Sequence, residues 1–158
     1  YIVAIAGVLK GLVEKLQGGS FTELPVGIAD GLRKRLGDGE KVHFTLLNWR
    51  AIHKAPSFTD SNTYFNSWFI LTAGRIIIAR NSSELKMFRE IPLNAITGTH
   101  YELDRREPRM TITTPGNVDI IEFQKKAGEY ISGLEELLKT AIADARSAAP
   151  VAATVEIV

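Results

Sequence analysis

The sequence predicts a mainly β protein with flanking helices (α+β). Seven strands form a strongly bent antiparallel sheet, a sandwich or partly open barrel, capped by a C-terminal helix and preceded by two N-terminal helices. Three observations carry this. Residues 40–123 hold a series of short apolar runs separated by turn residues. Both ends of the chain have apolar residues at helical spacing. The stretch Ser67–Arg80, SWFILTAGRIIIAR, is a hairpin that is apolar on both faces.

The first helix is predicted over residues 2–17, where Ile2, Ile5, Leu9, Leu12, Val13 and Leu16 fall on one face and Gly18-Gly19 stops it. Its opening, YIVAIAGVL, carries no charge but is too short for a bilayer, which takes about 20 apolar residues. A second helix is predicted from Pro25 to Leu36, with Val26, Ile28, Ala29, Leu32 and Leu36 on its apolar face. Arg33-Lys34-Arg35 sits at its C-terminus, where cations suit the helix dipole.

From Glu40 the period becomes two and predicts a strand ending near Trp49, followed by a long connection over residues 50–66. The hairpin strands follow at residues 67–72 and 75–80, then strands at 86–91 and 96–103. Asp104–Pro108 is a charged loop before the alternating strand Arg109–Thr114. Pro115-Gly116 suits the centre of a type II turn, because glycine accepts the positive φ required there. The strand Val118–Phe123 slips phase at Ile120-Ile121, which implies a bulge or burial on both faces. The last helix runs from about Ala127 to Ala145, with Leu134, Leu137 and Leu138 in its apolar stripe, predicted to pack on Phe44, Met110 and Ile112. Val155–Val158 reads as a short strand or loose end. The chain thus divides into an N-terminal helical segment (1–37), a β-rich domain (38–146) and a tail (147–158).

Composition narrows the function classes. The chain has 158 residues, 45% hydrophobic and 23% charged, with a formal net charge of +1. Nothing in that balance points to nucleic acid. There are no cysteines, which excludes disulfides, thiol catalysis and thiolate metal sites and suits a reducing, cytoplasmic setting.

Gly39–Val42, Phe69–Ile78, Glu90–Ile96 and the strand pair around Pro115-Gly116, in that order and spacing, resemble the bacterial pleckstrin-homology-like (PH-like) domains of the PH/GRAM superfold. Gly39-Glu-Lys-Val42 is similar to the opening of their first strand, and Phe69–Ile78 to their central hairpin. Glu90-Ile-Pro-Leu-Asn-Ala-Ile96 is similar to a further shared segment, and the strand pair around Pro115-Gly116 leads into a final helix as in that family. The resemblance covers residues 36–142. It implies a seven-stranded bent sheet with one capping helix. It also implies a non-enzymatic module that binds proteins or lipid headgroups, or that assembles into homo-oligomers.

In such a sheet one hairpin face lines the core and the other meets water unless covered. Trp68, Ile70, Ile76 and Ile78 are assigned to one face, and Phe69, Leu71 and Ile77 to the other. A cover is therefore expected, either the N-terminal helices or another subunit. On that basis Phe69, Leu71, Ile77, Ile5, Leu9 and Leu12 are candidate interface residues of a homo-oligomer or a contact with another protein.

No catalytic, nucleotide-binding or metal-ligand spacing stands out, and the chain reads as non-enzymatic, without cofactor or metal. His43, His53 and His100 have no partner at ligand spacing. Glu102, Asp104 and Glu107 lie among Arg105, Arg106 and Arg109 and read as a charge-balanced turn. Headgroup-binding PH domains carry a Lys-x-n-Lys/Arg-x-Arg pattern after the first strand. Lys54 fits it, but Ser67-Trp68-Phe69 stands where Arg-x-Arg would. Arg50, Lys54 and Arg75 are nevertheless candidate ligand-binding cations, expected to converge at one end of the barrel on an anionic headgroup. Two readings follow: a module acting through protein contacts, self-assembling, or a peripheral adaptor on an anionic membrane. Among the aromatics of this region, Trp49, Phe58, Tyr64 and Phe65 are expected to pack or to form a contact.

Overall fold

The computed structural model describes residues 24–37, 39–55 and 62–157. The predicted first helix, with Ile5, Leu9 and Leu12, and the loop aromatic Phe58 lie outside the described residues. Helix α1 (Val26–Arg35) precedes β1 (Val42–Lys54), β2 (Asn62–Thr72), β3 (Arg75–Arg80), β4 (Met87–Pro92), β5 (Gly98–Glu102), β6 (Arg109–Thr114) and β7 (Asn117–Glu122). Two 3-10 turns, Leu93–Ala95 and Lys125–Ala127, lead into β5 and into helix α2 (Gly128–Ile157). The strands form one antiparallel sheet in the order β4-β3-β2-β1-β7-β6-β5, open at β4 and β5.

β1 and β2 are longer than the sequence predicts. β1 continues through residues 50–54, and the connection shortens to residues 55–61. These five residues do not alternate cleanly, but four of them pair with β2 and all five with β7. A segment paired on both sides keeps its extended form without a clean hydrophobic period.

The strand pair also turns a corner. Phe44 and Leu46 point into the main core, and so does Ala51, so the inward phase flips between them. At the flip, buried Asn48 donates to Ser67 Oγ at 2.7 Å. Asn66, beside it, has φ 52°, the left-handed region that asparagine tolerates. β1 can then line the core at both ends of the bent sheet.

The hairpin faces differ from the sequence assignment. The two-residue turn Ala73-Gly74 sets the register Leu71↔Ile76, Ile70↔Ile77, Phe69↔Ile78 and Trp68↔Ala79. Directly opposed residues share a face. The inner set is Phe69, Leu71, Ile76 and Ile78; the outer set is Trp68, Ile70, Ile77 and Ala79. An even-length turn pairs odd with even residue numbers, and that parity is fixed by the turn rather than by the strands' own pattern.

The outer face is covered from within the chain. Ile28 and Leu32 of α1 close over Trp68, Ile70, Ile77 and Ala79 in a second apolar cluster. Full burial of each isoleucine or leucine in this cluster contributes about 1.5–3 kcal/mol. Two glycines one turn apart permit the approach. A Cβ on Gly27 would lie 1.7 Å from the Ser83 carbonyl oxygen, and one on Gly31 would lie 2.5 Å from Leu85 Cβ.

α2 caps the other side of the sheet as its stripe predicts. Leu134, Leu137 and Leu138 are buried in one cluster with Phe44, Met110 and Ile112. Phe69 sits edge-on to both Phe44 and Phe123, at ring distances of 6.2 Å each. β7 has an unbroken register, so its phase slip reflects burial on both faces rather than a bulge. Gly116 has φ 78°, as the type II turn requires. The helix does not end near Ala145 but continues to Ile157, through the segment read as a tail.

Candidate functional site

The three candidate ligand-binding cations do not converge. Val42 pairs with Thr72, which places Arg75 beyond the start of β1, while Lys54 is at the far end of that 13-residue strand. At about 3.3 Å per residue the two ends are tens of ångströms apart along the strand. Lys54 is exposed there.

Arg75 is held by carboxylates. Its Nε and Nη2 donate to Glu40 at 2.9 and 2.7 Å, and its Nη1 donates to Glu90 at 2.6 Å. Nη2 also reaches the Arg35 carbonyl at the C-terminus of α1 (3.1 Å). Thr72 Oγ1 donates to Glu40 at 2.6 Å. The Arg75 guanidinium holds the Glu40 carboxyl down at about 2, against the opposing effect of burial, with Thr72 and the Gly37 amide assisting. This cluster ties α1 to the β2–β3 turn.

Arg50 belongs to a row of opposed residues crossing five strands. The register aligns Phe65, Arg50, Glu122, Arg109 and Glu102. Glu122 is fully buried and bonds Arg50 on one oxygen and Arg109 on the other (2.8 Å). Arg105 lies 3.6 Å from Glu122 and donates to Glu102 at 3.1 Å. Burial pushes the Glu122 carboxyl up, but Arg109 and Arg50 more than offset it, so it titrates below the usual range. The charged loop is therefore not balanced within itself, because Arg109 turns away to a buried carboxylate on β7. Neither Arg50 nor Arg75 is left with its guanidinium uncommitted.

The hairpin residues proposed as an interface are inside the fold. Phe69, Leu71 and Ile77 are each fully buried. Tyr64 stacks on Phe88 with ring centroids 3.8 Å apart, which is packing, while Phe65 remains 58% exposed. No group of three His, Asp or Glu side chains among the described residues is placed to hold a metal ion.

The surface that sequence reasoning missed is a groove of about 500 Å³ between the edge strand β5 and helix α2. Its floor is apolar, from Ile96, Tyr101 and Ile142. Its rim is charged, with Glu135, Glu136, Lys139 and Arg146 contributed by the helix. Arg146 donates to the Ile96 carbonyl, which ties the helix to the start of β5. Glu135 and Glu136 lie at the other end beside Tyr101. Burial, with a smaller contribution from these two carboxylates, pushes the Tyr101 hydroxyl up to about 12. Among the described residues β5 pairs with β6 on one side only, and its other side presents backbone groups to the groove. Glu135, Glu136 and Lys139 were visible as the polar flank of the helix; what they face was not.

No family model matches the chain, and no curated protein sequence does. Among solved structures it is similar to the Vps36 N-terminal PH domain, at 16% identity over 69% of this chain and 83% of that one, with a TM-score of 0.51. It also aligns with a DUF1696-family protein with a pleckstrin-homology domain from Shewanella loihica PV-4, at 16% identity over 72% of this chain and 92% of that one, with a TM-score of 0.49. A third alignment is to a structure of the Vav1 exchange factor with its PH and C1 domains, at 9% identity over 73% of this chain and 33% of that one, with a TM-score of 0.45. The chain has a PH-like fold.

Proposed function

We propose that this PH-like chain is a non-enzymatic binding module that works through protein contacts, with the β5–α2 groove as its contact surface. The observation that carries this reading is the groove itself: an apolar floor, a charged rim and one row of backbone groups that no described strand pairs with. The headgroup reading needs several uncommitted cations at one place, whereas Arg50 and Arg75 are held by Glu122, Glu40 and Glu90. Self-assembly through the hairpin would need Phe69, Leu71 and Ile77, which the chain buries in its own clusters. No helix among the described residues is long and apolar enough to cross a membrane. A cytoplasmic setting with protein partners accords with the cysteine-free composition.

Flotation with vesicles rich in anionic lipid, at low and high salt, tests the reading. A protein-contact module stays off the vesicles at low salt. Binding at low salt that weakens as salt rises would move the chain to the headgroup class, since screening weakens a real electrostatic attraction.

A further inference from the structure

We infer that α1 exchanges between two copies of this chain, each copy's helix strapping the outer hairpin face of the other, with Gly39 as the hinge. The acceptor is the outer cluster of Trp68, Ile70, Ile77 and Ala79, which a single copy closes with its own Ile28 and Leu32. The inference goes beyond the groove and uses none of its residues.

α1 is held weakly for an element that fits so closely. It has ten residues, no side-chain cap and glycines inside it at Gly27 and Gly31. Isolated helices shorter than about 12–15 residues are marginal in water, and interior glycines weaken them further. Its buried residues are Ile28 and Leu32. Arg75 Nη2 ties its last carbonyl, that of Arg35, at 3.1 Å. Such an element lies at the low end of local stability and opens before the sheet does.

The acceptor face names its occupant. It takes a helix with no side chain at two positions one turn apart, because a Cβ there would meet the Ser83 carbonyl or Leu85. An aliphatic residue must follow each of those positions. The pattern is Gly-Ile-x-x-Gly-Leu, residues 27–32 of this chain. A second copy carries it by identity, so exchange remakes every contact and leaves no hairpin residue exposed.

The link supplies the pivot. Six residues join Arg35 to Val42. They fold back in a turn where the Glu40 amide donates to the Gly37 carbonyl and the Gly37 amide to Glu40 Oε1, both at 3.0 Å. Gly39 sits in this turn at φ 78°, the left-handed region that suits glycine. Arg75 and Thr72 fix Glu40 to its own sheet, so the pivot lies between Arg35 and Glu40. Extended, those five steps span about 17 Å. Straightened at Gly39, the link carries α1 onto a copy lying alongside across a two-fold axis. The exchanged dimer gives up this turn and the entropy of association, and rising concentration offsets the second.

Gly39→Val in the full chain tests the hinge. A Cβ at Gly39 meets no atom within 4 Å, so the substitution acts on the backbone alone. Valine resists positive φ, which strains the closed turn and not the extended link. Gly116 has the same φ of 78° and the same open space, and Gly116→Val is the control. Light scattering over a concentration series is expected to show a wild type whose dimer fraction rises with concentration. Gly39→Val is expected to dimerise at a concentration about tenfold lower or less, since two strained turns are relieved per dimer. Gly116→Val is expected to follow the wild type. Should Gly39→Val not fold, Gly39→Ala imposes a milder form of the same strain and is measured the same way. In dimers mixed from labelled and unlabelled copies, isotope-filtered NMR is expected to place the Ile28 and Leu32 methyls of one copy against Trp68 and Ile77 of the other. Monomers up to about millimolar concentration in wild type and Gly39 variant alike would overturn the inference. So would equal promotion of the dimer by Gly116→Val, or a dimer in which α1 contacts stay within each copy. None of these results bears on the groove.

Discussion

Glu40 shows how one carboxylate can organise three elements. It receives Arg75 from the head of β3, Thr72 from the end of β2 and the Gly37 amide after α1. Its carboxyl titrates at about 2 in the fold, below the ordinary 4.5. A carboxyl with a depressed folded pKa stabilises fully above its unfolded value, and that stability is lost as pH falls through the folded one. With 15% of the Glu40 side chain exposed, the contribution is discounted to about 1–3 kcal/mol. Denaturant unfolding of the wild type and Glu40→Gln at several pH values checks this. The gap between them should hold steady above about pH 5 and close toward pH 2. A gap independent of pH down to that point would mean that Glu40 acts by packing alone.

At the scale of elements, the two helices act differently. α1 is a short cover, able to approach because Gly27 and Gly31 carry no side chain where the β3–β4 turn lies against it. α2 is part of the main core. Truncating a buried leucine to alanine costs about 2–5 kcal/mol, through lost transfer energy and the cavity left behind. Leu134→Ala should therefore lower the melting temperature markedly. Glu135→Ala, on the groove rim, should change it little, as surface substitutions usually do. Similar small effects from both would mean that α2 does not hold the sheet closed.

At the scale of the whole molecule, the sheet is open at β4 and β5, yet its two halves are tied across the core. Arg89 of edge strand β4 makes a two-pronged ion pair to buried Asp119 of β7, at 2.7 and 2.8 Å. Breaking one side of such a pair costs about 3–5 kcal/mol, because the remaining charge is left unpaired. Asp119→Ala should destabilise by that order in a denaturant titration. It should also speed amide exchange in β4 before β1, which is paired on both sides. Uniform acceleration across the sheet would mean the pair stabilises the fold globally rather than closing that edge.

Among the described residues, the sequence by itself determined the element order from the second predicted helix onward, the seven strands, the turn at Pro115-Gly116 and the inward stripe of α2. These are local properties, set by hydrophobic period and turn chemistry within a few residues. It also determined that something must cover the hairpin. Tertiary structure decided the rest. Which hairpin residues face outward depended on the parity of one two-residue turn, a single step that moves every side chain to the other face. The reach of β1 through Lys54 depended on neighbours more than sixty residues away on β7. Arg50, Lys54 and Arg75 are separated by register, and Arg50 meets Glu122 only because β1 and β7 are adjacent. The β5–α2 groove has no signature in one dimension. Its strand is an edge only because the sheet order ends there, and its helix wall is set by the leucines that bury the opposite flank of α2.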